Sequence, residues 1–261
     1  MIAQVSALFK YREAAGLLAW RDLQVRYSNS VLGVVWSLLY PLLLTFFFSL
    51  VFRFIVPNPI PNYPVFFLAA LLPWNFFSLA VVSGTTSITS NGHLINRVGF
   101  PREILPLAVV LSNAVNFVIA LAPLGLIMLL FGTPLTPALL WLPVLLAAQS
   151  VLILGLVLAL SALNVFFRDI QQIVEVLMLP GFFLTPIVYD YSTQGAANGL
   201  AQLALVLNPM AGLVTQYRRV VYTGVAPDYS LLALTLAEAL LALVIGLTVF
   251  RRAQRSFADE L

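Results

Sequence analysis

Of the 261 residues, 61% are hydrophobic and 9% charged, against roughly 45–50% and about 25% in an ordinary soluble domain. So few charges cannot cover a water-exposed surface, and the mean hydropathy of +1.00 agrees. Soluble enzymes, nucleic-acid modules and disordered regulators are excluded, which leaves an integral membrane protein. The formal charge of +3 then reads as an excess of Lys and Arg in cytoplasmic loops, not as attraction to nucleic acid. With no cysteine and one histidine, His93, the chain offers no disulfide, thiolate site or histidine cluster.

In chain order, the opening MIAQVSALFKYREAAG places its charges after a weak apolar run, unlike a cleaved signal peptide. Residues 12–28 predict a helix lying in the membrane interface. On a helical wheel Leu17, Trp20, Leu23 and Tyr27 fall on one side and Arg21, Asp22 and Arg26 on the other, with Glu13 and Gln24 intruding on the apolar arc. Apolar stretches of the length needed to cross a bilayer, about 20 residues, fall at 33–56, 64–85, 104–131, 139–163, 173–190 and 230–250. The fifth is short and interrupted by Pro180, Gly181 and Pro186; such breaks are tolerated at membrane depth only where protein or a water-filled cavity surrounds the backbone.

Six crossings put both ends on one side, and the basic residues say which. Lys10, Arg12, Arg21, Arg26, Arg97, Arg102, Arg168, Arg251, Arg252 and Arg255 lie at the termini and even loops, whereas Arg53, Arg218 and Arg219 lie opposite. Both termini are expected in the cytoplasm. Two outer loops, PNPIPNYP and GTPLTP, are short and uncharged. The last outer segment is too apolar for a solvated loop and is broken by Asn208–Pro209, so 195–222 predicts re-entrant outer-leaflet helices near 199–206 and 209–222, suited to a plug or gate. The expected fold is an all-α membrane protein: one domain over 1–261 with six transmembrane helices, an N-terminal interfacial helix and re-entrant helices between spans five and six, without internal repeats or a soluble domain.

A phosphate loop needs GxxxxGK[ST], and the only lysine, Lys10, follows no glycine pattern, so any nucleotide hydrolysis belongs to another chain. Glu238, within span six, and Glu175, near the inner end of span five, are the acids nearest membrane depth. Glu238 reads either as a proton relay or as a hydrogen-bonded or snorkelling acid. Asn113 and Asn116 in span three and Gln149 in span four either touch a polar substrate or bond between helices. Two cytoplasmic loops, NGHLINRVGFPREILP at 91–106 and LNVFFRDIQQ at 163–172, set aromatics among charges of both signs. Each is a docking knob for a partner protein or a solvated loop whose arginines set topology.

Six blocks in order carry a family resemblance: RDLQVRYSNSVLGVVWSLLYPLL at 21–43, FPREILPLA at 100–108, LNVFFRDIQQ at 163–172, FFLTPIVYD at 182–190, LNPMAGLVTQYR at 207–218 and FRRAQRSFADEL at 250–261. Together they resemble the permease subunits of bacterial polysaccharide ABC exporters of the ABC-2 type, which carry O-antigen, teichoic acid or capsule. The resemblance implies a non-catalytic subunit of the bacterial cytoplasmic membrane. It implies a homodimer, two copies of a separate ATPase that binds ATP and magnesium, and a lipid-linked glycan threaded through a conduit at the dimer interface. Neither a cofactor in this chain nor a carbohydrate-binding extension after Leu261 is expected. The coupling residues to the ATPase would be Arg97, Phe100, Pro101, Arg102 and Glu103 in one loop and Phe167, Arg168 and Asp169 in the other. Access from the interface would involve Trp20, Arg21, Arg26 and Tyr27.

For the conduit, Trp36, Tyr40 and Phe47 fall at i, i+4 and i+11 on one stripe of span one, beside Ser37. Span two adds Phe66, Trp74 and Phe77, and span five adds Phe182, Phe183 and Tyr189. Aromatic faces hold the apolar faces of sugar rings yet let a repetitive polymer slide; the alternative is packing between helices or facing lipid. Export of a drug or lipid, a secondary transporter, and a membrane-bound transferase are the competing functions. The first is disfavoured by RYSNSVLGVVWSLLYP and FFLTPIVY, the others by the scarcity of intramembrane coupling residues or an acid–base site.

Overall fold

The computed structural model describes residues 12–28, 34–55, 60–95, 101–190 and 207–260, and among them there is no strand. Eight main helices follow one another: α1 (Arg12–Ser28), α2 (Val34–Phe54), α3 (Tyr63–Thr85), α4 (Ile104–Leu130), α5 (Leu142–Phe166), α6 (Asp169–Leu184), α7 (Pro209–Val221) and α8 (Tyr229–Ala253). Of these, α3, α4, α5 with the turn before it, and α8 are long and apolar enough to cross a membrane, while α2 has an apolar stretch over Leu38–Phe54. The 16 residues of α6 reach about 24 Å at about 1.5 Å per residue, short of a hydrocarbon core of about 30 Å.

Local chemistry sets the ends of these helices. Asn62, in the left-handed region at φ 46°, precedes α3; asparagine is among the few residues that tolerate this conformation. At the end of α4, Gly132 adopts φ 66°, its N–H donates to the Leu129 carbonyl, and the Thr133 N–H reaches back to Met128, a Schellman closure that favours glycine. The Asn208 side chain caps α7 by accepting from the Met210 N–H, with Pro209 in the first turn. The Asp228 carboxylate caps α8, accepting from the Ser230 hydroxyl and from the Ser230 and Leu231 N–H groups, and these bonds hold its pKa below the ordinary carboxylate value.

The fifth apolar segment differs from the sequence expectation at Pro180 and Gly181 and agrees with it at Pro186. Helix α6 begins at Asp169 and runs without interruption through Pro180 and Gly181. It stops at Leu184 because Thr185 precedes Pro186, whose ring disfavours helical backbone in the residue before it; Thr185 is extended at φ −94°, ψ 134°. The break therefore lies at Thr185–Pro186. The interfacial helix also differs in facing. Ala15, Ala19 and Leu23 form its buried stripe, and α1 packs on α4, whereas Leu17 and Trp20 are 71% and 60% exposed. Leu23 thus belongs to the bundle contact and not to the face of Leu17 and Trp20.

Helix α3 is the hub: it touches α2, α4, α5, α6 and α7 and is buried on nearly every side from Val65 to Trp74, as an apolar-all-round sequence requires. The most extensive pairing is α5 with α8. A Cβ on Gly155 would strike the backbone of Ala242 and Leu243, and one on Gly246 would strike the Gly155 carbonyl. Small residues let the two backbones meet, which supplies the van der Waals contact that drives association between membrane helices. A second, smaller core closes one end of the bundle around Ile88, Leu105, Leu158, Val165, Phe250 and Phe257.

Gly246→Leu is expected to destabilise the detergent-solubilised protein by about 1–3 kcal/mol or more, the usual cost of overpacking. Gly125→Ala, which meets nothing within 4 Å, is expected to be neutral or to stabilise by up to about 1 kcal/mol. Thermal unfolding of the two variants checks the pair.

Candidate substrate path and coupling tips

The aromatic residues separate into two sets. On α2, Tyr40 and Phe47 are exposed along with Leu43, Phe46, Leu50 and Phe54, and Phe183 of α6 is exposed as well. These side chains lie on surfaces that no other described helix covers. Trp74, by contrast, is 6% exposed; its ring packs on Gly181, where a Cβ would stand 3.0 Å from the indole, and against Phe77 and Phe182 at 5.4 and 6.1 Å. Phe66 is buried, and the half-buried Tyr189 donates its hydroxyl to the Phe183 carbonyl at 2.8 Å. The stripe of α2 that enters the core is the neighbouring one: Phe48 stacks on Phe67 at 4.8 Å and approaches Phe182 at 6.5 Å. Trp36, Arg26 and Tyr27 fall in α2 and α1, with side chains outside the described set.

Two cavities border these rings. One of about 650 Å³ lies between α2 and the adjoining ends of α3 and α4, lined by Phe46, Leu50, Arg53, Asn62 and Phe131 among others. The other, of about 500 Å³, lies between α3, α6 and the start of α7, lined by Trp74, Phe77, Gly181, Thr185, Asn208 and Met210 among others. In the second, the Asn208 amide donates to the Thr185 hydroxyl at 3.0 Å, so the break after α6 and the cap of α7 are tied together.

At the opposite end, α5 and α6 meet at a tip where Phe167, Arg168 and Asp169 are all exposed. Asn164 braces it, accepting from the Gln171 N–H at 3.2 Å and donating to the Thr89 hydroxyl at 3.4 Å. The other tip is described at 91–95 and from Pro101; Arg97 and Phe100 lie outside the described residues. Pro101 and Glu103 are half-buried at the start of α4. Arg102 turns inward: its guanidinium donates to the Gln254 carbonyl and lies 5.8 Å over the Phe257 ring. Arg21 donates to the Asn91 side chain at 3.2 Å and pairs with Asp22 at 3.4 Å, linking α1 to the same end.

Two of the polar residues within the spans, Gln149 and Asn113, bond between helices. The Gln149 amide donates to the Pro73 carbonyl at 2.7 Å, and Asn113 donates to the Ser83 hydroxyl at 3.4 Å and to its own helix at Val109. Asn116 and Glu238 are half-buried on α4 and α8.

Arg218 of α7 is read from the sequence only as a topological charge, yet it is 7% exposed. Its guanidinium lies 3.6 Å from the Phe66 ring centroid and donates to the carbonyls of Phe66 at 3.3 Å, Tyr189 at 2.9 Å and Ile187. Arginine stays protonated inside proteins, so Arg218 is a buried cation held by carbonyls and a ring face. The signal in the sequence is its place beside Met210, Val214, Tyr217 and Val221 on the buried arc of α7, whereas Arg219 faces outward.

A bundle with four helices long and apolar enough to cross a membrane is that of a multi-pass membrane protein. Residues 13–222 match the ABC-2 type transporter family, and the chain belongs to it. It is 34% identical over 261 residues, 100% of both chains, to the O-antigen export system permease protein RfbA of Myxococcus xanthus. Two proteins of that name from Klebsiella pneumoniae are each 28% identical over 247 residues, 92% of both chains.

The two aromatic sets should respond differently to truncation. Trp74→Ala is expected to cost about 3–5 kcal/mol of stability, as for other buried aromatics. Tyr40→Ala and Phe47→Ala, at exposed positions, should stay within about 0.5 kcal/mol of the parent. Unfolding midpoints of the purified variants provide the comparison.

Proposed function

We propose that this chain is the transmembrane permease subunit of an ATP-driven exporter that moves a lipid-linked polysaccharide of the O-antigen kind across the bacterial cytoplasmic membrane. The observation that carries this reading is the likeness to an O-antigen permease over the full length of both chains. The proposed subunit crosses the membrane six times with both termini in the cytoplasm, as the distribution of Lys and Arg favours. In this arrangement α2 and α6, extended by 185–190, supply the remaining two crossings, and α7 lies in the outer leaflet.

Two copies of the chain would face each other across α2 and α6, so that Tyr40, Phe47 and Phe183 border a shared path. Stacking on sugar faces requires no fixed hydrogen-bond register, so successive units of a repetitive glycan pass with similar affinity. The permease performs no hydrolysis in this scheme; two copies of a separate ATPase bind ATP with magnesium and press on the cytoplasmic tips. Phe167 would enter a groove of that partner while Arg168 and Asp169 fix the register, the usual division between an aromatic anchor and flanking charges.

In proteoliposomes holding the permease and its ATPase, glycan export is expected to require ATP and to stop when the ATPase is disabled. Phe167→Ala with Arg168→Glu should weaken assembly of the complex by about tenfold or more, the effect of losing an interface anchor, without lowering permease stability. Export that persists without a functional ATPase overturns the reading, and transport of a lipid or drug with no effect on glycan redirects the substrate.

A further inference from the structure

We propose that the segment following α8, through Phe257, is the mechanical link that joins the two cytoplasmic tips into one moving part. This rests on the reading of those tips as the places where the ATPase presses. Phe257 is completely buried, although it lies beyond the last long helix. Its ring meets the Phe250 ring edge-on at 5.5 Å and 85° and lies 6.2 Å from Phe166, which immediately precedes the exposed tip residue Phe167. On its other side, the Arg102 guanidinium stands 5.8 Å over the same ring. One aromatic ring therefore touches the end of α5, the last turns of α8 and the turn that starts α4.

The polar contact runs through the same place. Gln254 opens the short 3-10 turn directly after α8, and its carbonyl accepts from the Phe257 N–H, leaving a second lone pair for another donor. Arg102 donates to the Gln254 carbonyl and places a positive charge at the negative end of the helix dipole. Arg102 is thus committed within the chain, and its tip is fastened to this segment at two points, the carbonyl and the ring.

The mechanical consequence follows from packing. Ile88, Leu105, Leu158, Ala162 and Val165 complete a core around Phe250 and Phe257 that is separate from the main one. Close-packed interiors pass displacement on instead of absorbing it. A push on Phe167–Asp169 therefore reaches Pro101–Glu103, and through it α4, by way of Phe257. Phe257 acts as a positioning residue: it needs no contact with the ATPase, yet sets the geometry of both surfaces that the ATPase meets.

The test uses the full chain in nanodiscs, alone and with its ATPase, comparing Phe257→Ala, Phe257→Leu and Arg102→Gln. In the permease alone, hydrogen exchange in Phe257→Ala should rise at both 101–107 and 162–168, with α3 and the middle of α5 unchanged. In the complex, assembly should persist below the unfolding temperature while glycan exported per ATP hydrolysed falls by about tenfold, within the usual range of coupling between sites. Phe257→Leu, which refills most of the space, should restore most of that ratio. Should Phe257→Ala fail to fold, Arg102→Gln, which leaves the core intact, should loosen 101–107 and lower the same ratio. Loosening confined to 250–260, or an unchanged ratio in a folded variant, overturns the link. Failure of the docking reading would show separately, as normal ATPase binding when Phe167 and Arg168 are replaced.

Discussion

The end of the bundle at which α7 lies depends on how one buried cation is satisfied. A guanidinium taken out of water is costly unless its donors are met, and the partners of Arg218 are carbonyls contributed by α3 and by the chain that leaves α6. Ile187 and Tyr189 lie where Pro186 has already ended the helix, and Arg218 donates to both of their carbonyls. The irregular backbone and the buried charge meet each other's needs, which is the condition under which non-helical chain is tolerated at membrane depth. The Tyr63 hydroxyl adds a further bond to the Val188 carbonyl at 3.2 Å.

Once Arg218 is placed, the rest of α7 follows. Met210, Leu213, Val214, Tyr217 and Val221 are buried, Tyr217 meets Phe117 edge-on at 5.7 Å, and α7 packs on α3, α5 and α8. The same helices carry the glycine crossing of α5 with α8 and, at the far end, the small core around Phe257. They form a frame of closely packed helices. Helices α2 and α6 lie against it with long exposed apolar faces, and these are the elements to which the proposed function assigns the substrate path. On that proposal, movement belongs to α2 and α6, and the frame carries force between the cytoplasmic tips and α7.

The sequence reveals the helices more readily than their partners. The long apolar runs locate α3, α4, α5 and α8 closely, because apolar length is the signal in a membrane chain, and Asn208–Pro209 marks the start of α7 because an Asx cap followed by proline is a local instruction. Where the outcome depends on residues distant in sequence, the reading falls short. Pro180 and Gly181 look like a break, yet Gly181 serves as a flat seat for Trp74 and the helix passes through both. Leu23 reads as part of an amphipathic face, yet Ala15 and Ala19, too small to register as an apolar stripe, turn it toward α4. Arg102 reads as a docking charge and Arg218 as a topological one; each is bound to a carbonyl more than a hundred residues away in the chain. The exposed tip at Phe167–Asp169 is legible because its charges and ring occupy a short connection that no neighbouring helix covers.

The most direct test of this account is hydrogen exchange across 185–190 and 207–221 in the parent, Arg218→Met and Arg218→Lys, measured in the same bilayer mimic. If the guanidinium fastens α7 to α3 and to the chain after α6, exchange in both segments should accelerate by about tenfold or more in Arg218→Met, since each lost charge-assisted bond is worth about 1.5–3 kcal/mol. Arg218→Lys should recover only part of the protection, because a single ammonium cannot span the carbonyls of Phe66, Ile187 and Tyr189, while α5 and α8 stay protected throughout. Unchanged protection of 207–221 in Arg218→Met would contradict the account.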